Sequence, residues 1–160
     1  MTRIHKAIFL DRDGVLINDA HWVVSIEQIQ ILPGVVEALK QLAGAGFKLV
    51  AVTNQPVIAR GMTTALQLGA IHQHLNTLLN LESDSTIQRY YFCPHHPQAT
   101  LPEYRINCEC RKPKPGMLFR AANELNIDLK NSFLVGDRLS DICAGFKAGC
   151  KTEYRMSNSE

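Results

Sequence analysis

Lys6-Ala7-Ile8-Phe9-Leu10-Asp11-Arg12-Asp13-Gly14 passes from an apolar run straight into three consecutive charges. A short apolar run that ends abruptly at a polar turn reads as a buried strand. The two aspartates stand two positions apart just past its carboxyl end. If the chain stays extended there, their side chains project the same way. Gly14 then lets the backbone turn away beneath them.

Outward from this stretch, strand and helix patterns alternate. Pro33-Gly34 opens a helical stripe of Val35, Val36, Leu39 and Leu42, and Gly44 and Gly46 stop it. Phe47–Val52 reads as a second strand ending at Thr53-Asn54. Thr63 is the expected cap of a helix carrying Leu66, Ile71, Leu75, Leu78 and Leu79. Ile87–Phe92 gives a third strand, Met117, Leu118, Ala121, Ala122 and Leu125 a further helix stripe, and Ser132–Val135 a fourth strand ending at Gly136-Asp137. A short helix through Ile142 to Lys147 stops at Gly149, and a weaker fifth strand begins at Cys150. This order predicts an α/β fold, a three-layer Rossmann-like parallel sheet with helices on both faces, in which no large cap domain is expected.

The 160 residues fit one domain spanning 1–160. A formal charge of +2 offers no footing for nucleic acid, and no apolar run approaches the length of a membrane span or a secretory signal. The expectation is a cytoplasmic monomer whose five cysteines stay reduced and are free to hold metal.

Polar residues follow three of the strands: Asp11 and Asp13, Thr53 and Asn54, then Asp137. In an open parallel sheet these carboxyl ends share one edge, where ligands bind. Short polar residues also begin ordinary turns, but three strands ending this way favour a site. A carboxylate at Asp11 can attack phosphorus, and Asp13 can protonate the leaving alkoxide and later deprotonate water. Two carboxylates facing a phosphate dianion require a hard cation, so Mg²⁺ is expected on Asp11, Asp137 and the backbone carbonyl of Asp13. The Thr53 hydroxyl and Asn54 amide suit the equatorial phosphate oxygens. Lys112, in Arg111-Lys112-Pro113-Lys114-Pro115-Gly116, is the best candidate to complete the set.

The stretch from Cys93 to Pro113 is too long for a plain connection. It carries Cys93-Pro94-His95-His96-Pro97 and Cys108-Glu109-Cys110, two pairs of soft ligands able to close a tetrahedral Zn²⁺ site across residues 93–112. Either His95 or His96 can supply the fourth ligand, and spacing does not choose between them.

Phe-Leu-Asp-Arg-Asp-Gly at 9–14, Val-Thr-Asn-Gln at 52–55, Arg-Lys-Pro-Lys-Pro-Gly at 111–116 and Val-Gly-Asp-Arg-x-x-Asp at 135–141 resemble the four motifs of the haloacid-dehalogenase superfamily, in order over nearly the whole chain. The resemblance implies a nucleophile at Asp11, an acid/base at Asp13, a Mg²⁺ ligand at Asp137 and a nearby carboxylate at Asp141. The zinc loop is similar to that of the D-glycero-D-manno-heptose 1,7-bisphosphate phosphatases, which implies Cys93, His95, Cys108 and Cys110 as ligands. It also implies substrate contacts from Asp19, Ala20, His21, Trp22, Gln55, Arg111 and Arg138, and removal of the C7 phosphate from a small sugar bisphosphate. The chain departs from that pattern at Pro56-Val57, where Ser-Gly is usual, at Trp22, where tyrosine is common, and in ending soon after Cys150. Two other readings share these features: a histidinol-phosphate phosphatase, and a catalytically silent zinc-braced binding domain. His72 and His74 are expected to ride on a helix without a functional partner.

Overall fold

The computed structural model describes residues 2–19, 22–80 and 86–156. Its centre is strand β1, Lys6–Leu10, whose burial is complete from Ala7 onward. Helix α1 (Val35–Gly44) returns the chain to β2 (Phe47–Asn54) at its side. The one-turn helix α2 (Pro56–Ala59) and the long α3 (Ala65–Asn80) lead to β3 (Arg89–Cys93). Helix α4 (Gly116–Leu125) then crosses back to β4 (Phe133–Gly136), on the far side of β1, and α5 (Leu139–Ala148) leads to β5 (Lys151–Tyr154). The sheet order is β3-β2-β1-β4-β5 and every pairing is parallel. The winding therefore reverses between β1 and β4, the place where such sheets open a crevice at their carboxyl ends.

Alternation along the strands divides the core in two. Ala7, Phe9, Val50, Val52 and Leu134 face α4 and α5 through Leu118, Ala121 and Ala144. Ile8, Leu10, Leu49 and Ala51 face α1 and α3 through Leu39, Ile71 and Leu75. The two helix layers flank the sheet as right-handed crossovers require.

Three expectations are corrected. Helix α3 is capped by Thr64, not Thr63: the Thr64 hydroxyl accepts from the Gln67 backbone N–H (3.2 Å) and the Gln67 side chain accepts from the Thr64 N–H (3.1 Å). Leu66 is exposed, because the inward face of this helix runs through Leu68, Ile71, His72, Leu75 and Leu79. Strand β3 begins at Arg89; Ile87 is buried ahead of it, with its backbone held at both ends by the Asn76 side chain.

Candidate active site

The strand register sets Leu10 beside Ala51 on one flank and Val135 on the other, so the carboxyl ends of the three strands share one edge, with Thr53 and Asn54, expected past β2, forming its last two residues. Asp11 is buried there, its backbone N–H donating to the Val135 carbonyl at 3.1 Å. Its Oδ1 accepts from the Arg12 backbone (2.9 Å) and from Lys112 Nζ (3.0 Å), which fixes one oxygen and leaves Oδ2 for chemistry. Gly14 has φ +81°, and a Cβ on it would collide with the Asp137 carboxylate, so no other residue leaves Asp137 its place.

Lys112 enters this edge from the long loop, 101 positions from Asp11. Its three N–H donors meet three acceptors: Asp11 Oδ1, Asp141 Oδ1 at 2.6 Å and the Val52 carbonyl at 2.7 Å. Burial pulls its pKa down, but the charges of Asp11 and Asp141 push it up and prevail. Asn54 grips the Lys112 backbone reciprocally, donating to its carbonyl and accepting from its N–H, each at 3.0 Å. The Asn54 amide, expected on phosphate, is thus engaged in seating the lysine. Lys114, the other lysine of the turn, binds the Cys108 carbonyl at 2.9 Å and stays outside the site.

Asp13 has its carboxylate turned to three donors: Arg12 Nε (3.1 Å), Arg12 Nη2 (3.0 Å) and Gln55 Nε2 (3.1 Å). Gln55 also donates to the Thr53 hydroxyl at 2.8 Å, so its side chain links two expected site residues. Burial raises the pKa of Asp13, against the pull of Arg12.

Asp11, Asp137 and Asp141 bring carboxylate oxygens within 4.8 Å of one another, and Asp137 Oδ1 is buried with no hydrogen-bond partner among the described residues. Asp141 has one oxygen on Lys112 and the other on the Arg138 N–H (3.0 Å), which leaves Asp11 and Asp137 with free lone pairs. An orphaned carboxylate oxygen among hard oxygen donors fits a Mg²⁺-type cation. Burial, then the neighbouring charge of Asp11, pushes the Asp137 pKa up to about 6 from an ordinary 3.8. An acid whose pKa rises on folding binds more protons in the folded chain, so its contribution to stability falls as pH rises from about 4 to about 6 and stays lost above that. A cation relieves that penalty at high pH and must displace a proton at low pH. Mg²⁺ is therefore expected to raise the melting temperature more at about pH 7.5 than at about pH 5. An equal or larger rise at the lower pH, in thermal denaturation of the metal-stripped protein, would count against this site.

Beside the edge, the loop from Pro94 to Pro115 gathers Cys93, His95, Cys108 and Cys110, whose ligand atoms lie within 4.8 Å of one another. The Sγ atoms of Cys93 and Cys110 are 2.8 Å apart and His95 Nδ1 is 3.4 Å from the latter, all without a disulfide. Of the two histidines left open by spacing, it is His95 that joins the cluster, while His96 Nδ1 accepts from the Gln98 backbone at 3.0 Å. The hydrogen bond between the two thiols draws Cys110 down to about 5 and pushes Cys93 up, so the cluster favours a thiolate even before a metal is counted. Four N and S donors converging in this way fit Zn²⁺.

At the carboxylate edge opens a cleft of about 390 Å³ lined by Asp11, Asp13, Gln55, Arg111, Lys112 and Arg138. That volume suits a small phosphorylated molecule. Arg111 reaches it while Nη1 donates to the His95 carbonyl at 3.2 Å, tying it to the cysteine cluster. Across the mouth, Arg138 pairs with Asp19 at 3.1 Å, and the Arg60 guanidinium lies 4.6 Å over the Trp22 ring. Ala20 and His21, the other two expected contacts, lie outside the described residues.

The sequence profile of the haloacid dehalogenase-like hydrolases matches residues 19–149. The chain belongs to that family. It is a phosphatase, a hydrolase of phosphoric monoesters. This hydrolase is 44% identical over 153 residues to the D-glycero-beta-D-manno-heptose-1,7-bisphosphate 7-phosphatase of Yersinia pestis, covering 96% of this chain and 81% of that one. It is 46% identical over 146 residues to the Pasteurella multocida protein of the same name, covering 91% and 78%. The crystal structure of the D,D-heptose 1,7-bisphosphate phosphatase of B. bronchiseptica, complexed with magnesium and phosphate, superposes with a TM-score of 0.81 at 36% identity, covering 92% of this chain and 78% of that one.

Three site residues of this hydrolase escape a reading of its sequence. Arg12 is fully buried between the two aspartates, His72 meets it from α3, and Arg155 lays Nη1 on the carbonyls of Gly14 and Val15 at 3.1 and 2.9 Å. His72 corrects the expectation of a partnerless histidine. Its spacing from Leu68 and Leu75 already placed it on the inward face of its helix. Nothing comparable in the sequence marked Arg12 or Arg155.

Proposed function

We propose that this chain is a Mg²⁺-dependent phosphatase that removes the C7 phosphate of D-glycero-D-manno-heptose 1,7-bisphosphate through an aspartyl-phosphate on Asp11, with a structural Zn²⁺ on Cys93, His95, Cys108 and Cys110. The observation that carries it is the meeting of Asp11, Asp137 and Lys112 beside a cleft that Asp11, Lys112 and Arg111 line. The names of the relatives supply the sugar.

In this reading Asp11 Oδ2 attacks phosphorus while Lys112 and the Arg12 N–H hold Oδ1 and keep the carboxylate aimed. Asp13 gives a proton to the leaving C7 oxygen, then takes one from the water that cleaves the acyl phosphate. Bound at Asp11 and Asp137, with the Asp13 carbonyl as a further ligand, Mg²⁺ supplies charge neutralisation between carboxylates and phosphate. Thr53 adds a donor at the phosphoryl oxygens, and the Lys112 ammonium, its three N–H groups already engaged, adds positive charge beside them.

The second phosphate of such a substrate lies away from the cation and needs arginine or backbone N–H groups. Arg111 can grip it with two parallel hydrogen bonds, and the zinc loop holds Arg111 through the His95 carbonyl. Arg111→Ala should lower kcat/KM for the heptose bisphosphate by roughly 10–150-fold, the equivalent of about 1.5–3 kcal/mol, and far less for a monophosphate ester. Arg111→Lys should recover part of it, because an ammonium lacks the fork. Removal of zinc, checked by metal analysis for about one Zn²⁺ per chain, should give the same substrate-selective loss. Equal losses on both substrates, or a native preference for histidinol phosphate at equal concentration, would sink the heptose assignment.

A further inference from the structure

Arg12 poses a question that the reaction above does not use. Its guanidinium is wholly buried, and a buried charge persists only when its donors are met. On one side Nε and Nη2 hold the Asp13 carboxylate, and Nη2 also reaches Gln55 Oε1 at 3.2 Å. On the other side Nη1 lies 3.3 Å from His72 Nε2. A guanidinium has no acceptor, so this contact has a single sense: Nη1 donates and His72 Nε2 accepts, which places the imidazole proton on Nδ1.

The histidine is itself held. Its ring lies parallel to that of Tyr90, with centroids 4.3 Å apart and planes 10° from each other. The Tyr90 hydroxyl donates to Asn76 Oδ1 at 3.0 Å, and Asn76 is locked to the Ile87 backbone. Burial, then the Arg12 charge, depresses the His72 pKa to about 3, so the ring is neutral at any working pH. A carboxylate in its place would draw off the charge of Arg12; a neutral acceptor fixes the direction of the guanidinium and leaves its charge for Asp13. Without that hold, a side chain with four rotatable bonds has Asp11 nearby as a competing partner.

We propose that His72, acting through Arg12, is a positioning residue for the Asp13 carboxyl, a role that rests on the reading of Asp13 as general acid and base. It does not touch substrate. Its effect should therefore fall on proton delivery to the leaving oxygen and not on phosphate binding.

The leaving group separates these. In a reaction that passes through a phosphoenzyme, kcat/KM reports the steps up to departure of the first product. An alkoxide from a sugar phosphate needs a proton to leave, whereas p-nitrophenolate does not. His72→Phe keeps the stack on Tyr90 but removes the acceptor. It is expected to lower kcat/KM about 10-fold or more on an alkyl phosphate, a part of the roughly 10²–10⁴-fold that acid–base catalysis supplies, and no more than about 3-fold on p-nitrophenyl phosphate. His72→Gln, which returns an acceptor near the Nε2 position, should recover most of that loss. Equal losses on both esters, or no recovery with glutamine, would overturn the proposal. Asp13→Asn run in parallel must show the same selectivity; if it does not, the acid role of Asp13 fails and the proposal with it, whereas selectivity in Asp13→Asn alone defeats only the role of His72. Imidazole ¹⁵N shifts of the native protein test the geometry without any variant: Nε2 must be the unprotonated nitrogen, and a proton found there would end the argument.

Discussion

Asp11→Asn protein is expected to fold normally and to release no measurable phosphate. The carboxamide can present its oxygen to the Arg12 N–H and to Lys112, the two partners that Asp11 Oδ1 already has, so the local structure has no reason to change. Its remaining atom is an amide nitrogen, which carries no lone pair able to displace an alkoxide from phosphorus. A loss of roughly 10⁴-fold or more in kcat is the scale on which removing a nucleophile registers when the surrounding donors survive. Stability should change little in metal-free buffer: the ion pair with Lys112 is lost, but the lysine keeps Asp141 and the Asp137 carboxyl is no longer pushed up by the charge of Asp11. Steady-state phosphate release on protein of verified mass decides the matter, since deamidation would regenerate the aspartate. Near-normal turnover in such protein would end the aspartyl-phosphate mechanism.

Much of this arrangement was legible because it depends on local signals. The apolar run into Asp11, the polar residues after Val52 and Gly136, and the glycine stops of the helices follow from strand burial and turn chemistry, and β1, α1 and α4 lie where those signals put them. That the loop cysteines gather at one point was readable because soft ligands set in short-range pairs are the pattern of such a cluster. What escaped depends on distance along the chain. The 60 positions between Arg12 and His72, and the 58 between Asn54 and Lys112, leave no trace in periodicity or composition. The error at Leu66 has another origin: leucine at the first turn of α3 fits the count of apolar residues but not the angle of the stripe, which Leu68 and His72 occupy instead. Helix α2 went unread because Pro56-Val57 stood out only as a departure from the family pattern, although proline is at home in a helix's first turn.

Lys112→Met should cost both activity and stability, and the two losses have one electrostatic source. The ammonium lies between Asp11 and Asp141 and is itself buried, as are both partners. Methionine fills most of the volume and removes the charge, so two buried carboxylates and the Val52 carbonyl are left facing an apolar tip. Breaking a buried pair from one side costs about 3–5 kcal/mol, more than the intact pair contributes, because the residual charge has lost its partner. For a chain of this length that corresponds to a fall of roughly 6–20 °C in melting temperature, measured without divalent cation. Adding Mg²⁺ should restore part of it, since a cation at Asp11 and Asp137 takes over some of the neutralisation. Activity should not return with it. Loss of a fixed positive charge beside the developing negative charge is expected to lower kcat by roughly 10²–10³-fold. Lys112→Arg keeps the charge but not the compact three-way fit to Asp11, Asp141 and Val52, and should recover stability better than turnover. A Lys112→Met protein as stable as the native chain would mean that the lysine is not the counter-charge that holds this edge together.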